Sequence, residues 1–182
     1  MKDFDLDIPK MGYILLVKGN GIFSKFIRER QKIAGYKEHS EYTHCEILCG
    51  GKDSVLIAPP KSRMTDITKQ YKNTYIKIMR IKPSFSEKYE NKYRYKIAVF
   101  AASLCNRVYD VIGVASFLSP FKFILNWIAK HNRLYFCSEG CTWAIQKVYP
   151  LFLNGRNKET VMPCMFSSNT DQLEIVWEGI IP

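Results

Sequence analysis

The sequence predicts one α+β domain spanning residues 1–182, with an antiparallel sheet or partial barrel packed by helices. Three observations predict it. Short β runs bounded by glycine and proline turns fill much of the first half. The clearest helical periodicities come after them, rather than alternating strand by strand. The chain has 182 residues, 47% of them apolar and 24% charged, which supports one core but not two comfortable ones. That composition excludes disorder as a whole-chain description. Six cysteines are too few for a disulfide scaffold.

Residues 13–17 form a short β run, followed by a Gly19-Asn20-Gly21 turn. Residues 24–34 read as a helix with Phe23, Phe26 and Ile27 inward and Gly35 as its stop. Residues 42–49 read as a strand, Gly50-Gly51-Lys52-Asp53 as a hairpin turn, and residues 54–58 as the returning strand, ended by Pro59-Pro60. A further strand covers residues 75–81, with Tyr75, Lys77, Met79 and Ile81 on one side and Ile76, Ile78 and Arg80 on the other. Ser84-Phe85-Ser86-Glu87 is a capping box, and it opens a helix whose apolar stripe is Tyr89, Tyr93, Ile97, Phe100 and Leu104. Residues 133–136 are short and extended, and they run into a helix over 137–148 with Cys141, Ala144, Ile145 and Val148 inward and Pro150 as its stop. Residues 173–177 form the last strand.

The formal charge is +10, which points to an anionic neighbour such as nucleic acid, a membrane surface or a cell-wall polymer. Residues 61–96 carry eleven Lys and Arg against three acids, interleaved with Tyr71, Tyr75, Tyr89, Tyr93 and Tyr95. No specific nucleic-acid motif accompanies them, so a solvated face is the plainer reading and contact with an anionic surface the sharper one. The first residues hold three aspartates before any apolar run, so no export signal is expected, and location is expected to be cytoplasmic or by release without a signal peptide. The longest apolar stretch, residues 111–129, is interrupted by Pro120 and Lys122. It is expected to form a loop and a helix rather than a transmembrane helix.

The cysteines are expected to be reduced. Cys45 and Cys49 cannot share a zinc ion from one strand, because four strand residues span about 13 Å while a zinc–sulfur bond is about 2.3 Å. No metal and no cofactor is expected. His44 is different from an isolated core histidine because Glu46 shares its strand face. Cys137 sits where an extended run meets a helix. There the helix dipole and free N–H groups favour a thiolate, and the backbone N–H of Cys137 can bind a developing oxyanion. A thiol, an imidazole and a polar orienter are the parts of a thiol amidase.

At these residues the chain resembles the circularly permuted papain-like amidases, a branch of the NlpC-type cysteine peptidase superfamily. The resemblance rests on Gly12-Tyr13-Ile14-Leu15, Thr43-His44, Tyr109-Asp110 and Tyr135-Phe136-Cys137-Ser138-Glu139, in that order, from about residue 11 to about residue 177. It implies a papain-like α+β fold in permuted order, with Cys137 as nucleophile and His44 as base. It further implies a substrate amide of peptidoglycan-type peptides or lipid-linked amides, or acyl transfer as in wider relatives. The chain departs from the pattern at Tyr13, at Cys45-Glu46 after the histidine, and in strand 54–58, which lacks a carboxylate. Glu46 is therefore the candidate third member. Two strand residues span about 6.6 Å, long for a direct bond, so a backbone carbonyl is the other candidate orienter.

Three functions follow as alternatives: a thiol amidase or peptidase, an acyltransferase or lipid-amide or ester hydrolase on the same fold, and a non-enzymatic basic binding module. For the first two, Tyr109, Tyr135, Phe121 and Trp127 are the candidate substrate-binding residues. Residues 111–129 are expected to wall the cleft and receive an apolar or acyl part of the substrate.

Overall fold

The computed structural model describes residues 4–5, 10–83, 87–109 and 135–182. They form an α+β structure with a six-stranded, open antiparallel sheet. In chain order the elements are β1 (Ile14–Val17), α1 (Ile22–Ile33), β2 (His44–Gly50), β3 (Asp53–Leu56), β4 (Arg63–Asp66), α2 (Ile67–Gln70), β5 (Tyr75–Ile81), α3 (Glu87–Ala102), α4 (Cys137–Gln146), α5 (Pro163–Ser168) and β6 (Leu173–Ile180). The strand order is β4-β3-β2-β1-β5-β6. The partial-barrel alternative does not hold, because β4 and β6 stand at opposite edges.

β1 is central, and all four of its residues are buried. Its run of Ile, Leu, Leu and Val is the pattern of a strand covered on both faces. Ile14 and Leu16 join Cys45, Ile47, Val55 and Met79 on the face that receives α3 and α4. Leu15 and Val17 join Leu48, Ile76, Ile78 and Trp177 on the other, where Ile67 and Tyr71 cover them. Each such fully buried aliphatic side chain contributes roughly 1.5–3 kcal/mol. The β2–β3 turn uses Gly50 at φ 128° and Gly51 at φ 53°, which other L-residues rarely adopt.

Gly12 begins the approach to β1 at φ +79°. A Cβ there would lie 2.5 Å from the carbonyl oxygen and 2.7 Å from the Cα of Arg94, both backbone atoms of α3. Gly12→Ala is thus expected to destabilise the fold by about 2–4 kcal/mol, through overpacking and a strained φ together. Thermal unfolding measures it; an unchanged Tm would show that α3 does not press on this turn.

Several elements differ from the sequence expectation. α1 does form, but Phe23 and Phe26 point outward, at 65% and 55% exposure, and Ile27 is only half-buried. The side chain that anchors α1 is Gln31, which is fully buried. Its amide donates to the carbonyls of Ser40 (2.8 Å) and Tyr42 (3.0 Å), and its oxygen accepts from the Cys164 N–H (3.0 Å). Three polar contacts to backbone groups, two in the loop after α1 and one at the start of α5, hold the helix in place of an apolar stripe. β4 and α2 lack a strong periodic signal. They form because Arg63–Asp66 pairs along β3 and Asp66 then caps α2 through the Thr68 N–H (3.0 Å). The apolar stripe of α3 holds where its side chains are described: Ile97 and Leu104 are buried, and Tyr93 stacks on Tyr149. Ser84, Phe85 and Ser86 of the capping box, and residues 110–134 with Phe121 and Trp127, lie outside the described residues.

Most described Lys and Arg of the basic stretch are exposed, but three are tied into the fold. Lys77 is buried, with its ammonium 3.1 Å from Ser167 Oγ and 3.5 Å from Glu178. Arg80 pairs with Glu174, and Arg94 bonds Glu90 (3.2 Å) and the Tyr13 hydroxyl (3.0 Å). Among the described residues, no helix is long and apolar enough to cross a membrane.

Candidate active site

His44 opens β2, opposite Val17 of β1. The alternation of β2 places His44, Glu46 and Leu48 toward one face of the sheet and Cys45 and Ile47 toward the other. Glu46 is fully buried, and a buried carboxylate needs partners. It has three. His44 Nε2 lies 3.1 Å from Glu46 Oε1, the Tyr71 hydroxyl donates to the same oxygen, and the Ser54 hydroxyl donates to Oε2. The backbone separation of about 6.6 Å expected for two strand residues is bridged by the two side chains leaning together. No backbone carbonyl is required as orienter.

Cys137 is the first residue of α4 and is buried. Phe136 at the N-cap has no side-chain oxygen with which to bond the first N–H groups of the helix. The helix is fixed from its first turn. Ser138 Oγ donates to the Val161 carbonyl at 2.6 Å, and Lys158 donates to Glu139 at 2.5 Å. Both contacts tie the Cys-Ser-Glu start to residues 158–161. Gly140 lets α4 approach closely, since a Cβ there would come within 2.3 Å of Ile57 Cδ1.

The paired register of β2 with β3 ends at Ile47 opposite Val55. Beyond it, Cys45 lies beside Cys137, and its thiol and backbone both act on the Cys137 sulfur. His44 also interacts with the Cys137 sulfur. Nε2 of His44 is turned to Glu46, so Nδ1 is the ring nitrogen left for sulfur. Cys137, His44 and Glu46 are therefore grouped at one place, although they come from opposite halves of the sequence.

The electrostatics favour a thiolate–imidazolium pair. The hydrogen bond from the Cys45 thiol, with His44 beside the sulfur, outweighs burial and holds Cys137 well below the ordinary thiol value of 9.0. Burial alone would push the His44 pKa down. The Cys137 charge and hydrogen bond, with those of Glu46, overcome it and raise His44 well above 6.5. Burial pushes the Cys45 thiol up, as do its bonds to Cys137 and Cys141, so Cys45 stays a neutral donor. Burial and then the charge of Glu46 likewise raise Tyr71, which keeps its proton.

Tyr109 and Tyr135 face each other across an isolated parallel bridge, two residues before Cys137 on one side. The Tyr135 ring packs on Trp143 at 5.9 Å between centroids, and the Lys158 ammonium sits 4.8 Å over it. Three contributors are not announced by the sequence as site residues: Ser54, Tyr71 and Cys45. Ser54 carried a usable signal, since it follows directly on the hairpin turn opposite Leu48, on the face of Glu46. Tyr71 carried none, because it stands just past the end of α2. No family model matches the chain, and no curated protein sequence matches it.

Proposed function

We propose that the chain is a cysteine-dependent hydrolase of an amide bond, in a peptidoglycan-type peptide or a lipid-linked amide, built on a permuted papain-like fold. The observation that carries this reading is the Cys137–His44–Glu46 chain, with its sulfur at the start of a helix and its imidazole backed by a buried carboxylate. In the proposed reaction the Cys137 thiolate attacks the substrate carbonyl carbon. The carbonyl oxygen becomes an oxyanion beside the backbone N–H of Cys137. The His44 imidazolium gives its proton to the leaving nitrogen, the C–N bond breaks, and a thioester remains on Cys137. Neutral His44 then takes a proton from water, whose oxygen displaces the thiolate and releases the acid. Glu46 holds the ring orientation through both steps and stabilises its charged form. Tyr109 and Tyr135 are assigned to the substrate side of the sulfur. If an alcohol or amine replaces water in the second step, the same residues perform acyl transfer.

Thiol labelling tests the reading directly. Brief treatment with iodoacetamide at mildly acidic pH, read by peptide mass spectrometry, is expected to modify Cys137. It should spare Cys45, Cys49 and Cys164, whose thiols burial pushes up, to about 12 for Cys49 and Cys164. Labelling of Cys137 no faster than of these three would remove the basis for thiol catalysis and leave the basic binding module as the better description.

A further inference from the structure

We propose that α1 is a docking element for an anionic lipid bilayer surface. Its sequence is amphipathic, yet its apolar side faces away from the fold. Ile22, Phe23, Phe26 and Ile33 are 74%, 65%, 55% and 75% exposed. At helical spacing these four fall within an arc of about 100°. A folded domain seldom leaves two aromatic and two β-branched aliphatic side chains aligned in water without a partner for them. The inversion has a cause in the structure. Gln31 does the anchoring, through the Ser40 and Tyr42 carbonyls and the Cys164 N–H, so the apolar arc is not needed to hold the helix down.

The charge of the helix selects the partner. Lys25, Arg28, Arg30 and Lys32 stand against Glu29 alone, and Glu29 is neutralised by Lys32 at 2.7 Å. Exposed aromatic and aliphatic residues on a helix with net positive charge match an interface whose surface is anionic and whose interior is apolar. A second copy of the chain offers the apolar half of that match but repeats the same positive charge.

The placement links this surface to the candidate site. The loop between β1 and α1 is bonded to the residue before His44, through the Gly19 N–H and Thr43 Oγ1 at 3.2 Å. Docking through α1 brings the end of the sheet that carries His44 to the lipid interface, where an acylated substrate resides. That last step rests on the proposed thiol chemistry; the docking itself does not.

The test is co-sedimentation of the full chain with vesicles of phosphatidylcholine, with and without phosphatidylserine. The unchanged chain should bind, and more strongly where phosphatidylserine is present. The double substitution Phe23→Ser with Phe26→Ser should weaken binding to both vesicles by about tenfold or more, from the apolar area of two aromatic rings no longer transferred. The pair Lys25→Glu with Arg30→Glu should abolish the preference for phosphatidylserine. All four positions lie on α1 away from the Gln31 anchor, and circular dichroism checks that the variants are folded. Absence of vesicle binding by the unchanged chain would overturn the proposal, as would undiminished binding by the aromatic variant. So would a dimer in analytical ultracentrifugation that the aromatic substitutions dissolve while no vesicle is bound. Cys137 labelling, run on the same samples, reports separately on the thiol reading.

Discussion

Cys137→Ser is expected to lower turnover of any amide substrate by at least about a thousandfold while leaving the fold intact. The substitution changes one atom. It keeps the size of a buried side chain at the first turn of α4, and it keeps the contacts of Ser138 and Glu139 that fix the helix. What it removes is the ionisable sulfur. Cys45 and His44 favour a thiolate at that point; a serine hydroxyl there does not ionise near neutrality. The pH profile gives an independent signature. In the proposed reaction, activity requires Cys137 deprotonated, so it is expected to rise with pH through an acid limb set by the lowered thiol value. It also requires His44 protonated, so it falls through an alkaline limb set by the raised imidazole value. The expected profile is a bell whose acid limb lies well below 9.0 and whose alkaline limb lies well above 6.5. The two limbs belong to the pair, since each charge stabilises the other. Turnover by Cys137→Ser within about tenfold of the unchanged chain would place the nucleophile elsewhere.

The sheet was legible from the residues because its signals are local. Glycine pairs, a proline pair and alternating apolar positions bound four strands, and the register follows from which face must be buried. The start of α4 was legible for the same reason. The orientation of α1 was not, because an apolar stripe predicts burial only if nothing else holds the helix, and one buried glutamine does so here. The site divides along the same line. His44 and Glu46 are neighbours in one strand, so their shared face could be read directly. Their meeting with Cys137 depends on where the β2–β3 pairing ends, which is a tertiary fact. Tyr71 reaches Glu46 from 25 residues away, across a helix only four residues long that no periodicity announces.

Glu46 is where charge and orientation can be separated, and two substitutions are expected to do it. The carboxylate accepts from His44 and Tyr71 on Oε1 and from Ser54 on Oε2. In Glu46→Gln, the amide oxygen can replace Oε1 and keep both donors, and the NH2 group can face Ser54, whose hydroxyl also accepts. Orientation is then largely kept and the charge is lost. Because the Glu46 charge and hydrogen bond both raise the His44 pKa, their weakening lowers it. The alkaline limb of the pH profile should move to lower pH, with a modest loss at the optimum. In Glu46→Ala the orientation goes as well, and the buried Tyr71 and Ser54 hydroxyls lose their acceptor. Turnover is expected to fall by about a thousandfold to ten thousandfold, and stability by about 2–3 kcal/mol for the donors left unsatisfied. Tyr71→Phe serves as the control, since it removes a donor to Glu46 without touching the imidazole. It should weaken stability while leaving the alkaline limb present. An alkaline limb that stays in place in Glu46→Gln, in a protein of unchanged stability, would reduce Glu46 to a buried structural group and leave His44 without its orienter.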